Sequence, residues 1–389
     1  MLPLEGTRVL DLTNVLAGPF CGYQLARMGA EVVKVENPKG GDLARRLGAD
    51  PEMARREMGL SFVAVNAHKQ SIALDLKDPR GKAVFLELVE HADVVLENFR
   101  PNVMKRLGLD YASLAASNER LVYCACYGYG EGGPYAGRPG VDDTIQAACG
   151  LAWLQGVGAD APRYVNTVVA DKIMGMWVTQ SIAMALYARE RTGRGQAIEV
   201  PMFEGMVAFT LPEHLGGLTF DPPLGPPGYA RLLNAFRKPF KTLDGYVGVV
   251  PYIDAHWRKF FAIIGAPQLA EDERFRRLVD RSRHFAELYR IVATALATRT
   301  TGEWIALLAD ADIPFAKMNT IEDLLTDEHL VAIGFWHHVD HPTEGRLNMP
   351  GIPVSFSETP GAIRRHAPAL GEHTAEVLRE IGMNEEGAS

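Results

Sequence analysis

Cysteine is scarce in this chain, with four in 389 residues. Cys21, Cys124, Cys126 and Cys149 form no C-x-x-C pair, which excludes a thioredoxin-type redox motif and a zinc ribbon and leaves them as small buried hydrophobes in a reducing compartment. A surplus of positive charge is also lacking. The formal net charge is −8 and the pI about 5.8, so nothing attracts nucleic acid or anionic lipid globally, and an anionic ligand needs a local basic cluster. No apolar run approaches a transmembrane helix, and the start "MLPLEGTRVLDLT" has no basic segment followed by an apolar one. The expectation is a cytoplasmic protein with no membrane and no nucleic-acid partner. The first strand-to-helix turn, "DLTNVLAGPFCG", carries no G-x-G-x-x-G, and no Walker A sequence occurs, so dinucleotide and P-loop chemistry are discounted. His337, His338 and His341 lie in a β-like stretch that Pro342 interrupts, which argues against a metal site.

What is present is an α/β pattern. "RVLDLT" (8–13), "EVVKVE" (31–36), "DVVLENF" (93–99) and "LVYCACYG" (121–128) are short apolar runs alternating with helical periodicity, as in β-α-β units of a parallel sheet. "RTGRGQ" (191–196) turns the chain into a further strand, "AIEVPM". The proline-rich "TFDPPLGPPGY" (219–229) reads as a linker. The expected organisation is a large domain over residues 1–218, a linker and small domain over 219–330, and a segment over 331–389 returning to the large domain through a final helix.

One acid stands out. In "YVNTVVADKIMGMW" (164–177), Asp171 sits between an apolar, strand-like run and an apolar helix, where a helix N-cap is the simplest role for it. Lys69, Arg100, Lys105, Arg106 and Arg138 fall at or after the C-terminal ends of predicted strands, the edge where open α/β sheets bind ligands. Each fits scattered surface charge, but together they favour an anionic ligand with several phosphates.

Taken in order, "PLEGTRVLDLTNVLAGPF", "GAEVVKVENPKGGD", "NAHKQSIALDLK", "DVVLENFRPNVMKRLGLDY", "YGEGGPY", the Asp171 segment, "RTGRGQ" and "PALGEHTAEVLREIG" make nearly the whole chain resemble the family III CoA-transferases, which include formyl-CoA and carnitine CoA-transferases and α-methylacyl-CoA racemase. The resemblance implies a Rossmann-like large domain with a parallel sheet, a smaller α+β domain and an interlocked homodimer. It places Asp171 at the catalytic aspartate and Asp142 at an acid beside the thioester, and it places Ala17, Asn66, Lys69, Asn98, Phe99 and Arg106 at positions that contact CoA. Asn37 and Pro139 depart from basic residues of the formyl-CoA enzymes, and Arg138 can substitute for one of them. The glycine-run loop that covers the site in those enzymes is missing, so a different acceptor pocket is expected, with Arg231 or Arg237 as candidates to pair with a second carboxylate.

The implied activity is an acyl-CoA:carboxylate CoA-transferase with an acyl-CoA donor and a carboxylic acid acceptor. CoA is then a substrate, with no permanently bound cofactor and no metal. A carboxylate nucleophile preserves the thioester's free energy as a mixed anhydride. The helix N-terminus is expected to keep Asp171 ionised, and apolar surroundings to exclude water. The alternatives are an acyl-CoA racemase or isomerase of the same superfamily, and a noncatalytic CoA-binding protein. Racemases of the group carry a histidine where this chain has Val141, which cannot hold a proton.

Overall fold

A computed structural model of the chain describes residues 1–48, 50–159 and 161–383. Six strands, β1 (Arg8–Asp11), β2 (Glu31–Glu36), β3 (Gln70–Ala73), β4 (Val94–Glu97), β5 (Val122–Tyr127) and β6 (Ala197–Pro201), form one parallel sheet in the order β3-β2-β1-β4-β5-β6. This is the doubly wound Rossmann order, and the order in which strands are added reverses between β1 and β4. Because helices cover both faces, the central strands are buried throughout, which is why Val9, Leu10, Val32, Val33, Val94 and Val95 run without polar alternation. The helix Pro79–Glu90 shows the local logic: Asp78 accepts from Arg80 N at 2.8 Å as its cap, and Pro79 fills the first turn, where its missing N–H costs nothing.

The first helix, α1 (Ala17–Arg27), packs along the 24-residue helix Val169–Thr192. The two come so close that a Cβ on Gly175 would stand 2.7 Å from the Ala17 carbonyl oxygen. The long helix ends at Gly193, whose left-handed φ of 73° is the turn expected in "RTGRGQ". Met174, Val178 and Ile182 bury one face of that helix, while Met176, Trp177, Met184 and Tyr187 are exposed on the other.

Contact clustering separates residues 1–149, 165–209 and 329–389 from a second unit, residues 150–164 and 210–328. The second unit holds the antiparallel strands β7 (Phe240–Lys241), β8 (Tyr246–Val249) and β9 (Phe315–Lys317), with helices closing a core of Trp257, Phe260, Phe261, Leu288 and Trp304. In the first unit β10 (Trp336–His341) and β11 (Gly345–Pro350) form a hairpin, and the helix Thr374–Glu380 packs Val377 and Leu378 into the core that Ile72 shares. Among the described residues no helix is long and apolar enough to cross a membrane.

The sheet hides a neutral knot of charge. Asp11, Lys34, Glu36, Asp42, Arg45 and Lys69 are all buried, three acids against three bases. Lys34 Nζ meets Asp42 at 3.0 Å, Arg45 grips Glu36 through two bonds of 2.6 and 2.7 Å, and Lys69 meets Asp11 at 2.8 Å. Buried charges persist only when paired in this way.

Candidate active site

A cavity of about 430 Å³ opens beyond the carboxyl ends of β1, β4 and β5, at the point where the strand order reverses. Its floor is the turn after β1. Asn14 N donates to Asn98 Oδ1 at 2.8 Å and Asn98 Nδ2 donates back to Asn14 O at 2.9 Å, so the turns after β1 and β4 are tied to each other. Val15 takes a left-handed φ of 71°, unfavourable for a β-branched residue. Its N–H donates to Asp42 Oδ1 at 2.9 Å, which connects the strained turn to the buried charge knot. Leu16 and Ala17 then open α1 with no side-chain cap, and the first turn of a helix is suited to an anion.

Asp171 lines this cavity, but it is not the cap of its helix, and the segment before it is not a strand. Val168 occupies the N-cap position and Asp171 lies in the first turn. The cap comes from another helix: Asp142 Oδ1 accepts from Ala170 N at 2.7 Å and from Asp171 N at 3.1 Å. Asp142 is buried, and its second oxygen accepts from Gln146 Nε2, while Gln146 Oε1 accepts from Val165 N at 2.9 Å. Asp142 is absent from the cavity lining and meets the Asp171 segment through these backbone bonds. The expectation that the helix end keeps Asp171 ionised is also corrected. Burial, then the charges of Asp142 and Asp143, push its pKa up to about 7.

The other sequence candidates divide. Ala17, Asn98, Phe99 and Arg138 line the cavity with Asp171. Arg106 lines an adjoining space of about 640 Å³ that shares Phe99, Arg100 and Pro101 with the first, so the two form a path leading away from Asp171. Lys69 and Asn66 are elsewhere. Both are fully buried, and Lys69 Nζ spends its three hydrogens on Asp11 Oδ2 at 2.8 Å, Pro19 O at 2.9 Å and Asn66 Oδ1 at 2.8 Å. Neither residue lines either space, and the Lys69 bonds hold α1 on the sheet. Asn37 Oδ1 accepts from Lys39 N at 2.8 Å in a turn, and Pro139 lines the cavity. Arg231 and Arg237 belong to the second unit, where Arg231 Nε donates to Tyr289 OH at 3.3 Å. Arg100, one of the strand-end cations, lines both spaces. Its place directly after Phe99 was the available signal.

The family model described as CoA-transferase family III matches residues 4–374. The succinate–glutarate CoA-transferase of Agrobacterium fabrum is 34% identical, covering 100% of this chain and 98% of that protein. The succinyl-CoA–L-malate CoA-transferase beta subunit of Chloroflexus aurantiacus is 35% identical over 99% and 96%. Among solved structures, a CAIB/BAIF family protein from Brucella suis superposes with a TM-score of 0.81 at 31% identity, covering 98% of this chain and 99% of that one.

Proposed function

The chain belongs to CoA-transferase family III and is a CoA-transferase, and on that premise we propose that Asp171 is the nucleophile that carries the acyl group and then CoA. Its carboxylate oxygen attacks the thioester carbon of the donor. The C–S bond breaks, CoA leaves as thiolate, and an aspartyl–acyl anhydride remains. The thiolate attacks the Asp171 carbonyl carbon, releasing the donor acid and leaving an aspartyl-CoA thioester. The acceptor carboxylate displaces the thiolate in the same manner, and the thiolate takes the new acyl group and restores Asp171.

The observation that carries this reading is the lining itself. Among the described residues Asp171 is its only carboxylate, held at the start of its helix by Asp142. Anhydride chemistry needs one such group. Isomerisation by proton abstraction on two faces needs two bases, and no imidazole and no second carboxylate lines the cavity. The uncapped turn at Leu16 and Ala17, the Asn98–Phe99 turn, Arg100 and Arg106 form a path suited to the phosphates and pantetheine of CoA. The exposed apolar face of Met176, Trp177, Met184 and Tyr187 supports the homodimer expected from the sequence, because a second copy would cover it. The names of the relatives make succinyl-CoA the first donor to test.

The test is incubation of the full-length enzyme with succinyl-CoA followed by hydroxylamine. A hydroxamate at Asp171, seen by peptide mass, together with loss of exchange in Asp171→Ala, is the expected result. Wild-type turnover in that variant refutes the assignment.

A further inference from the structure

Three arginines near the site have no carboxylate partner among the described ion pairs, Arg100, Arg106 and Arg138, whereas Arg45, Arg189 and Arg281 are each paired to an acid. The first two lie on the path leading away from Asp171, where a bound CoA would use them. Arg138 is different. It lines only the cavity that holds Asp171.

Its surroundings hold it in place. The loop 128–140 is closed at its base by a backbone crossing so tight that a Cβ on Gly128 would lie 2.7 Å from Gly140 Cα. The outgoing limb is pinned by Gly130 N to Glu204 Oε1 at 3.1 Å and Glu131 N to Glu199 Oε1 at 2.7 Å. On the returning limb the Arg138 guanidinium lies over the Tyr135 ring, 4.1 Å from its centroid, and Tyr135 packs edge-on to Tyr129 at 5.5 Å. Stacking on a ring face fixes the plane of the guanidinium and leaves its N–H edge free, the geometry that receives a carboxylate through two parallel bonds.

We propose that Arg138 is a specificity residue that selects the acid by pairing with the far carboxylate of a short dicarboxylate; this rests on the CoA-transferase reading above. The charge arithmetic supports it. A dicarboxylate carries one carboxyl to the reaction and a second, unreactive negative charge into a space that already contains Asp171. An apolar pocket would reject that charge, whereas an unpaired, pre-oriented guanidinium binds it. The residue assigned to CoA by sequence is thereby assigned to the acid.

The test compares succinate with butyrate, acids of equal chain length that differ in the far carboxylate, as acceptors in full-length wild type and in Arg138→Gln. The wild type is expected to favour succinate, and the variant to lower the ratio of kcat/KM for succinate over butyrate by roughly a hundredfold, as expected for loss of a charge-paired contact. Arg138→Lys keeps the charge but not the planar fork and is expected to fall between them. An unchanged ratio in Arg138→Gln, even with both rates reduced, overturns the proposal by placing Arg138 on CoA. A wild type that favours butyrate overturns it as well. A wild type that transfers CoA to neither acid instead refutes the preceding reading of function.

Discussion

Replacing Asp171 by Asn should abolish turnover and make the protein more stable, by an amount that grows with pH. An unfolded aspartate ionises near pH 4, whereas folded Asp171 holds its proton until about pH 7, because burial and the charges of Asp142 and Asp143 oppose the anion. Between those values the folded state binds a proton that the unfolded state has lost, so wild-type stability falls as pH rises. Above pH 7 the whole cost is present. The rise from 3.8 to about 7 corresponds to about 4 kcal/mol as an upper bound, lowered by whatever solvent reaches this half-buried group. Asn keeps the shape and never ionises. Its backbone N–H still donates to Asp142, so the helix cap survives. Thermal unfolding of both proteins at pH 4, 6 and 8 should give midpoints that nearly coincide at pH 4 and differ by several degrees in favour of the variant at pH 8. A difference independent of pH, or a variant less stable at pH 8, would refute the reasoning that the Asp171 carboxylate is held under electrostatic stress.

The same ionisation should set the acid limb of kcat/KM near pH 7, since only the anion attacks. Asp143→Asn removes an exposed like charge and should move that limb to lower pH; a limb that stays in place would show that another group controls it. Lys69→Met leaves Asp11 buried without its lysine and should cost about 3 kcal/mol of stability, read as a lower unfolding midpoint. A raised KM for the CoA donor with unchanged stability would instead return Lys69 to the binding site.

The sheet was legible where its strands announce themselves. Val32, Val33, Val94 and Val95 lie in central strands buried on both sides, and such strands must be apolar throughout. β3 was not read, because half of "QSIA" is polar. Its Ser71 is nonetheless buried, donating to Glu36 Oε1 at 2.6 Å and accepting from Gly371 N at 2.9 Å, a partner from the far end of the chain. The role of Asp171 as a cap was a local inference overruled by a distant residue. Nothing within a turn of Asp171 reveals that an acid 29 positions earlier caps the helix. The partner of Lys69 is equally remote in sequence. A lysine at a strand end looks available until Asp11, 58 positions away, folds against it. Motif order pointed to Asp171, Asn98, Phe99 and Arg138, which the fold gathers around one cavity, but burial decides which charges there remain free to meet a ligand.

The contact at Gly175 works as a gauge block. One turn beyond Asp171, the long helix meets the Ala17 carbonyl and the Phe20 side chain of α1 with no side chain of its own, so the spacing there is set by close contact with α1. The loop 128–140 is a fitting of another kind, held by two glycines at its root and by side chains along its limbs. If Arg138 reads the acid as proposed, changing this fitting would change which acids are accepted while the machined spacing at Gly175 stays as it is.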